Sequence, residues 1–159
     1  MEFRHNHTYV IATRSNSWLS KAIRYFSERG SGLYEFDHVL LYRNGDVVHM
    51  TRPRTKFEPF EWRSENHIYV VRKQNALSAW EAGIESYERG ERYGYLQLVS
   101  KAFTMLFGLN PWRVRQDCIE AIMRWIIPDE FIDFDKPTVA QGIKWLENNN
   151  FIRKVGVKK

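Results

Sequence analysis

Two rhythms of apolar and polar positions divide the chain. From Thr8 to Thr13 the run Tyr-Val-Ile-Ala is continuously β-rich and is closed by the polar cluster Arg14-Ser15-Asn16-Ser17, a buried strand followed by a turn. Ser17 then stands as an N-cap, and Leu19, Ala22, Ile23 and Phe26 fall at helical spacing until Gly30 and Gly32 stop the pattern. Val39-Leu40-Leu41-Tyr42 and Val47-Val48-His49-Met50 are two β-rich runs separated by Asn44-Gly45. Asn-Gly between such runs predicts a type I′ hairpin, because both central turn residues need positive φ and these two tolerate it best. Periodicity is lost over residues 53–62, and Ile68-Tyr69-Val70-Val71 predicts a third strand returning beside the hairpin.

Beyond residue 75 the rhythm becomes helical. Ser78 and Glu81 have capping-box spacing, with Trp80, Ile84 and Tyr87 on one face before Gly90. A second helix is predicted over Tyr95 to Phe107. A third runs from Asp117 to Ile127, where Ile119, Ile122, Met123 and Ile126 recur at i, i+3, i+4 and i+7 and Pro128 closes the element. A last helix follows Pro137, from about Thr138 to Asn148. The expected class is α+β, a small antiparallel sheet packed against several helices. At 159 residues the chain suits one domain, with residues 129–159 as a helical extension.

Composition narrows this further. The chain is 43% hydrophobic and 15% aromatic, which excludes wholesale disorder. Its net charge of +5 comes from 24 basic and 19 acidic residues without a long run of either sign. The basic side chains are scattered apart from small groups at Arg52, Arg54 and Lys56, at Arg113 and Arg115, and toward the C-terminus, so a dedicated nucleic-acid surface is not expected. One cysteine excludes an internal disulfide. Nothing approaches the ~18 consecutive apolar residues of a membrane span, and the N-terminus lacks the pattern of a secretory signal. The expectation is a soluble, by default cytoplasmic, protein.

The hairpin turns spacing into proximity. With Asn44 and Gly45 as turn residues, Arg43 faces Asp46, Leu40 faces His49 and His38 faces Thr51. His38 and His49 then share a face as diagonal neighbours, roughly 7 to 8 Å apart between backbones and closer between side chains. One imidazole can hold the other in a single tautomer, as a general base requires. Cys118 opens the helix after Asp117, where unpaired amides and the helix dipole favour a thiolate. Nucleophile, base and orienting residue together make the logic of papain-like acyl transfer. A lone cysteine is otherwise a small buried apolar residue, and His38, His49 and Cys118 also offer three ligands of the kind zinc takes. His5 and His7 read as a polar arm and His67 as a strand-entry residue.

The segments 17–24, 36–50 and 117–120 resemble the permuted NlpC-type papain-like superfamily, which includes the YiiX-like proteins and the lecithin retinol acyltransferase group. In that superfamily the histidine strand precedes the cysteine helix, as His38 and His49 here precede Cys118. The resemblance implies Cys118 as nucleophile, His38 as base and His49 as its orienter, with no cofactor and no metal. Tyr93-Gly94-Tyr95 resembles a tyrosine-containing segment that often precedes the cysteine helix in YiiX-like proteins, which offers Tyr93 as a residue lining the site. Ile119 departs from the small or polar residue often found after the cysteine. The implied activity is hydrolysis of an amide or peptide bond on a peptide, cell-wall or other acyl-bearing substrate. A lipid acyltransferase or thioesterase on the same site, and a non-catalytic basic binding protein that keeps the fold, are the alternatives.

Overall fold

The computed structural model describes residues 3–14, 36, 38–51, 54–62, 65–92, 118–127 and 139–158. Six strands form one antiparallel sheet: β1 (Tyr9–Arg14), β2 (His38–Arg43), β3 (Asp46–Met50), β4 (Thr55–Pro59), β5 (Glu65–Val71) and β6 (Ile152–Lys158). Their order is β4-β3-β2-β1-β5-β6. Three described helices accompany them: α1 (Lys73–Glu88), α2 (Cys118–Ile126) and α3 (Val139–Asn148). The expected helices after Ser17 and over Tyr95 to Phe107 lie outside the described residues.

The hairpin forms as its turn residues dictate. Asn44 has φ 53° and Gly45 φ 103°, and β2 and β3 pair Arg43 with Asp46, Tyr42 with Val47 and Leu41 with Val48. The expected third strand extends over Glu65–Val71, but it does not return beside the hairpin. β1 takes that place, pairing Ile11 with Leu40 on one side and with Ile68 on the other. Residues 55–59, read as aperiodic, form the edge strand β4, with His49 opposite Lys56 and Asp46 opposite Pro59. A proline is tolerated there because an edge strand need not donate on its open side. The region 129–159 contributes a strand as well as a helix: β6 pairs with β5, and its Arg153, Lys154 and Lys158 put charge on the other edge.

Strand alternation gives the sheet two buried faces. On one, Val10, Ala12, Val39, Leu41, Val48 and Met50 form a core with α1, α2 and α3. Ile119, Ile122, Met123 and Ile126 of α2 are fully buried in it, each contributing about 1.5–3 kcal/mol of burial. The face that α1 buries is Ala76, Ala79, Gly83 and Ser86, so Trp80 and Ile84 lie only partly buried at its margin and Tyr87 is exposed. Small residues let α1 approach closely: a Cβ on Gly83 would stand 2.7 Å from Val48 Cγ1. Ser78 is not a cap. The helix starts at Lys73, and Ser78 Oγ donates to the carbonyl of Asn75 at 3.2 Å. On the other face Tyr9, Ile11, Leu40, Tyr42, Val47 and Ile68 are covered by Phe3 and Phe60. Phe3 stacks on Tyr42 and on Trp62, with ring centroids 4.1 and 5.7 Å apart.

Candidate functional site

The register of β2 and β3 brings the two predicted imidazoles together. His38 begins β2, His49 lies near the end of β3, and His38 Nε2 stands 2.7 Å from His49 Nδ1. His49 is 3% exposed, and its Nε2 lies 3.0 Å from Glu58 Oε1 on β4. Val47 faces Glu58 across β3 and β4, so Glu58 is the diagonal neighbour of His49 on the same face. A row of three side chains thus crosses three adjacent strands.

The chemistry of the row fixes its direction. An ionised carboxylate only accepts, so Glu58 requires His49 Nε2 to carry a proton. A neutral His49 then presents Nδ1 as an acceptor, and His38 must donate from Nε2. With His38 also neutral, Nδ1 is the acceptor nitrogen of its ring. Glu58 has a side chain 45% exposed, so its bond to His49 orients the ring more than it stabilises the fold. Beside the row lies a cavity of about 310 Å³. Leu40, Val47, Phe60 and Trp62 supply its apolar walls and His49 and Glu58 its polar edge.

Cys118 is the first residue of α2 and is 4% exposed. Asn75 Nδ2 donates to the carbonyl of Ile126 at the far end of α2 (3.3 Å), and Thr8 Oγ1 donates to the carbonyl of Ala76 (2.6 Å). These bonds tie the end of α2 to the start of α1, and the start of α1 to the end of the sheet where β1 begins and β2 finishes, since Tyr9 pairs with Tyr42. The pleat sets the layers. Cys118 belongs to the helix-side core with Val39 and Leu41, whereas His38 and His49 share the strand face of Leu40 and Val47.

The structure thus joins His38 to His49 on one face of the sheet and places Cys118 in the core on the other. Tyr93 and Asp117 lie outside the described residues. Glu58 was missed from the sequence because it falls in a stretch carrying Pro53 and Pro59. The available signal was the alternation Thr55-Lys56-Phe57-Glu58, separated by four residues from the end of β3. Glu120, 8% exposed in the first turn of α2, is a buried carboxyl that no spacing argument singled out. Among the described residues, no group of three or more His, Cys, Asp or Glu side chains is arranged to hold a metal ion. No described helix is long and apolar enough to cross a membrane. Comparison with protein families, with curated proteins and with solved structures returns no match in any of the three.

Proposed function

We propose that the chain is a thiol hydrolase of an amide or peptide bond, built on a permuted papain-like plan, with Cys118 as nucleophile and His38 as base. The observation that carries this reading is the 2.7 Å bond between His38 Nε2 and His49 Nδ1, extended to Glu58 at 3.0 Å. A row that ends on a carboxylate holds one tautomer and supports the imidazolium that forms when His38 takes a proton. This reading requires Cys118 Sγ, in the helix-side layer, to meet His38 Nδ1 around the start of β2; in the first step the S–H proton then passes to that nitrogen as sulfur attacks the carbonyl carbon. The tetrahedral intermediate collapses to a thioester, and His38 returns the proton to the departing amine. Water then attacks the thioester with His38 again as base, and the proton goes back to sulfur as the acid is released. Transfer of the acyl group to an acceptor other than water would use the same first step.

The burial of Cys118 in the helix-side core favours a second reading: a binding protein in which Cys118 is a core residue and the histidine row is structural. Acyl trapping separates the two. The full chain is incubated with p-nitrophenyl acetate, quenched in acid and digested for mass spectrometry. The hydrolase reading expects acetyl on Cys118, with the labelled fraction reduced at least ~10-fold in His38→Ala. Absence of label at Cys118 in protein that retains its fold, or label indifferent to His38, selects the binding reading.

A further inference from the structure

A second concavity lies at the opposite end of the sheet from His38, one strand length of about 17 Å away. Its volume is about 760 Å³, within the range of cavities that take small organic ligands. Arg43, Arg72, Lys73 and Arg153 line it, against Glu147 as the acidic lining residue. The topology gathers these cations from four elements: Arg43 ends β2, Arg72 joins β5 to α1, Lys73 opens α1 and Arg153 lies in β6. None of the four takes part in an ion pair with a described residue. Arg43, half-buried, is held in place by its bond from Nη1 to Thr8 Oγ1 at 3.0 Å. Arg72, as the N-cap of α1, offers no side-chain cap, so the opening amides of that 16-residue helix add positive potential to the same space. Leu77 and Phe151 supply apolar wall.

Four cations that make no ion pair with a described residue, gathered around a concave space with one acidic lining residue, create a field that concentrates anions. Scattered surface lysines do not, because they face water separately. Arg43 ends β2 on the face that α1 packs against and Lys73 opens α1, whereas Arg72 follows β5 and Arg153 lies in β6. Two pairs of cations suit two or more linked anionic groups better than one, and the apolar wall suits an organic body. We infer that this cavity binds a small organic polyphosphate. The arginine forks hold the phosphates, Lys73 and the start of α1 add charge, and Leu77 and Phe151 receive the organic part. This site is independent of the histidine row.

Calorimetric titration of the full chain with inorganic tripolyphosphate and with adenosine triphosphate, in about 0.15 M salt, tests the assignment. Expected is saturable binding of both, weakened about 10-fold in Arg72→Gln and in Arg153→Gln. Both residues are exposed, so unchanged melting curves verify that the variants fold. His38→Ala should bind as the parent does. Three results overturn the inference: no saturable binding of either probe, binding indifferent to both arginine substitutions, or displacement by sulfate at equal ionic strength. A short single-stranded oligonucleotide binding more than about 10-fold tighter than adenosine triphosphate through the same arginines overturns it in favour of a nucleic-acid surface.

Discussion

Gly142 decides how closely α3 can lie on α2, and through it where the turn carrying Cys118 sits. A Cβ at this position would meet Ile119 Cγ1 at 2.3 Å, Ile119 Cδ1 at 2.7 Å and Met123 Sδ at 3.1 Å. Cγ1 is not the far end of a flexible chain, and Ile119 is fully buried, so it cannot swing away without disturbing the core around it. Gly142→Ala gains about 1 kcal/mol of helix propensity, but overpacking a closed core costs about 1–3 kcal/mol, and the shortness of the contact points to the upper end. The net expectation is a loss of about 1–2 kcal/mol, which for a chain of this size lowers Tm by about 2–8 °C. Urea unfolding followed by circular dichroism measures it, with the midpoint falling and the slope unchanged. The contact also predicts coupling. Ile119→Ala alone costs about 2–5 kcal/mol, but in its background Gly142→Ala becomes neutral or stabilising, a pairwise term of about 2 kcal/mol. If Gly142→Ala stabilises the parent chain, or if the two substitutions simply add, the described packing of α3 on α2 is refuted.

Two further predictions concern the other face of the sheet. Glu58→Ala removes the acceptor that orders His49 and should slow acyl-enzyme formation about 10-fold, while Glu58→Gln, whose amide oxygen still accepts from Nε2, should lose less. Stopped-flow rates across pH with an activated ester measure both, and equal losses would mean that Glu58 does not set the tautomer. Tyr42 has its phenol pKa raised above the ordinary value of 10.0, chiefly by burial and less by Tyr9 and Asp46, against a lowering bond with the Gly45 backbone. Because the folded state disfavours the phenolate, its contribution to stability is complete below that ordinary value and is lost as pH rises through the raised one. Stability measured by urea unfolding should therefore fall more steeply above pH ~10 in the parent than in Tyr42→Phe.

How much of this was legible in the chain depended on whether the signal was local. Asn44-Gly45 demands positive φ at two consecutive positions, and that demand sets the register pairing Arg43 with Asp46, from which the His38–His49 contact follows. The helix α2 was equally local, since four apolar side chains at helical spacing follow Cys118. The neighbours of β5 were not, because sequence order does not say that β1 would lie between it and β2. Strand β4 was hidden by its proline and charges, which suit an edge strand, and the start of α1 by Ser78, which has the right spacing for a cap but sits within the helix. Nor does local pattern tell which side of the sheet a helix will cover. Cys118 lies in the expected helix; its placement in the layer behind Val39 and Leu41 is set by long-range packing.

The central claim is that an ordered imidazole row activates the Cys118 thiol, and the rate of iodoacetamide labelling at Cys118 as a function of pH tests it most directly. The account predicts a labelling midpoint well below the ordinary thiol value of ~8.5, with that neutral-pH reactivity lost in His38→Ala and weakened in His49→Ala. A midpoint at or above the ordinary value, the same in all three proteins, would contradict it and leave Cys118 as part of the core.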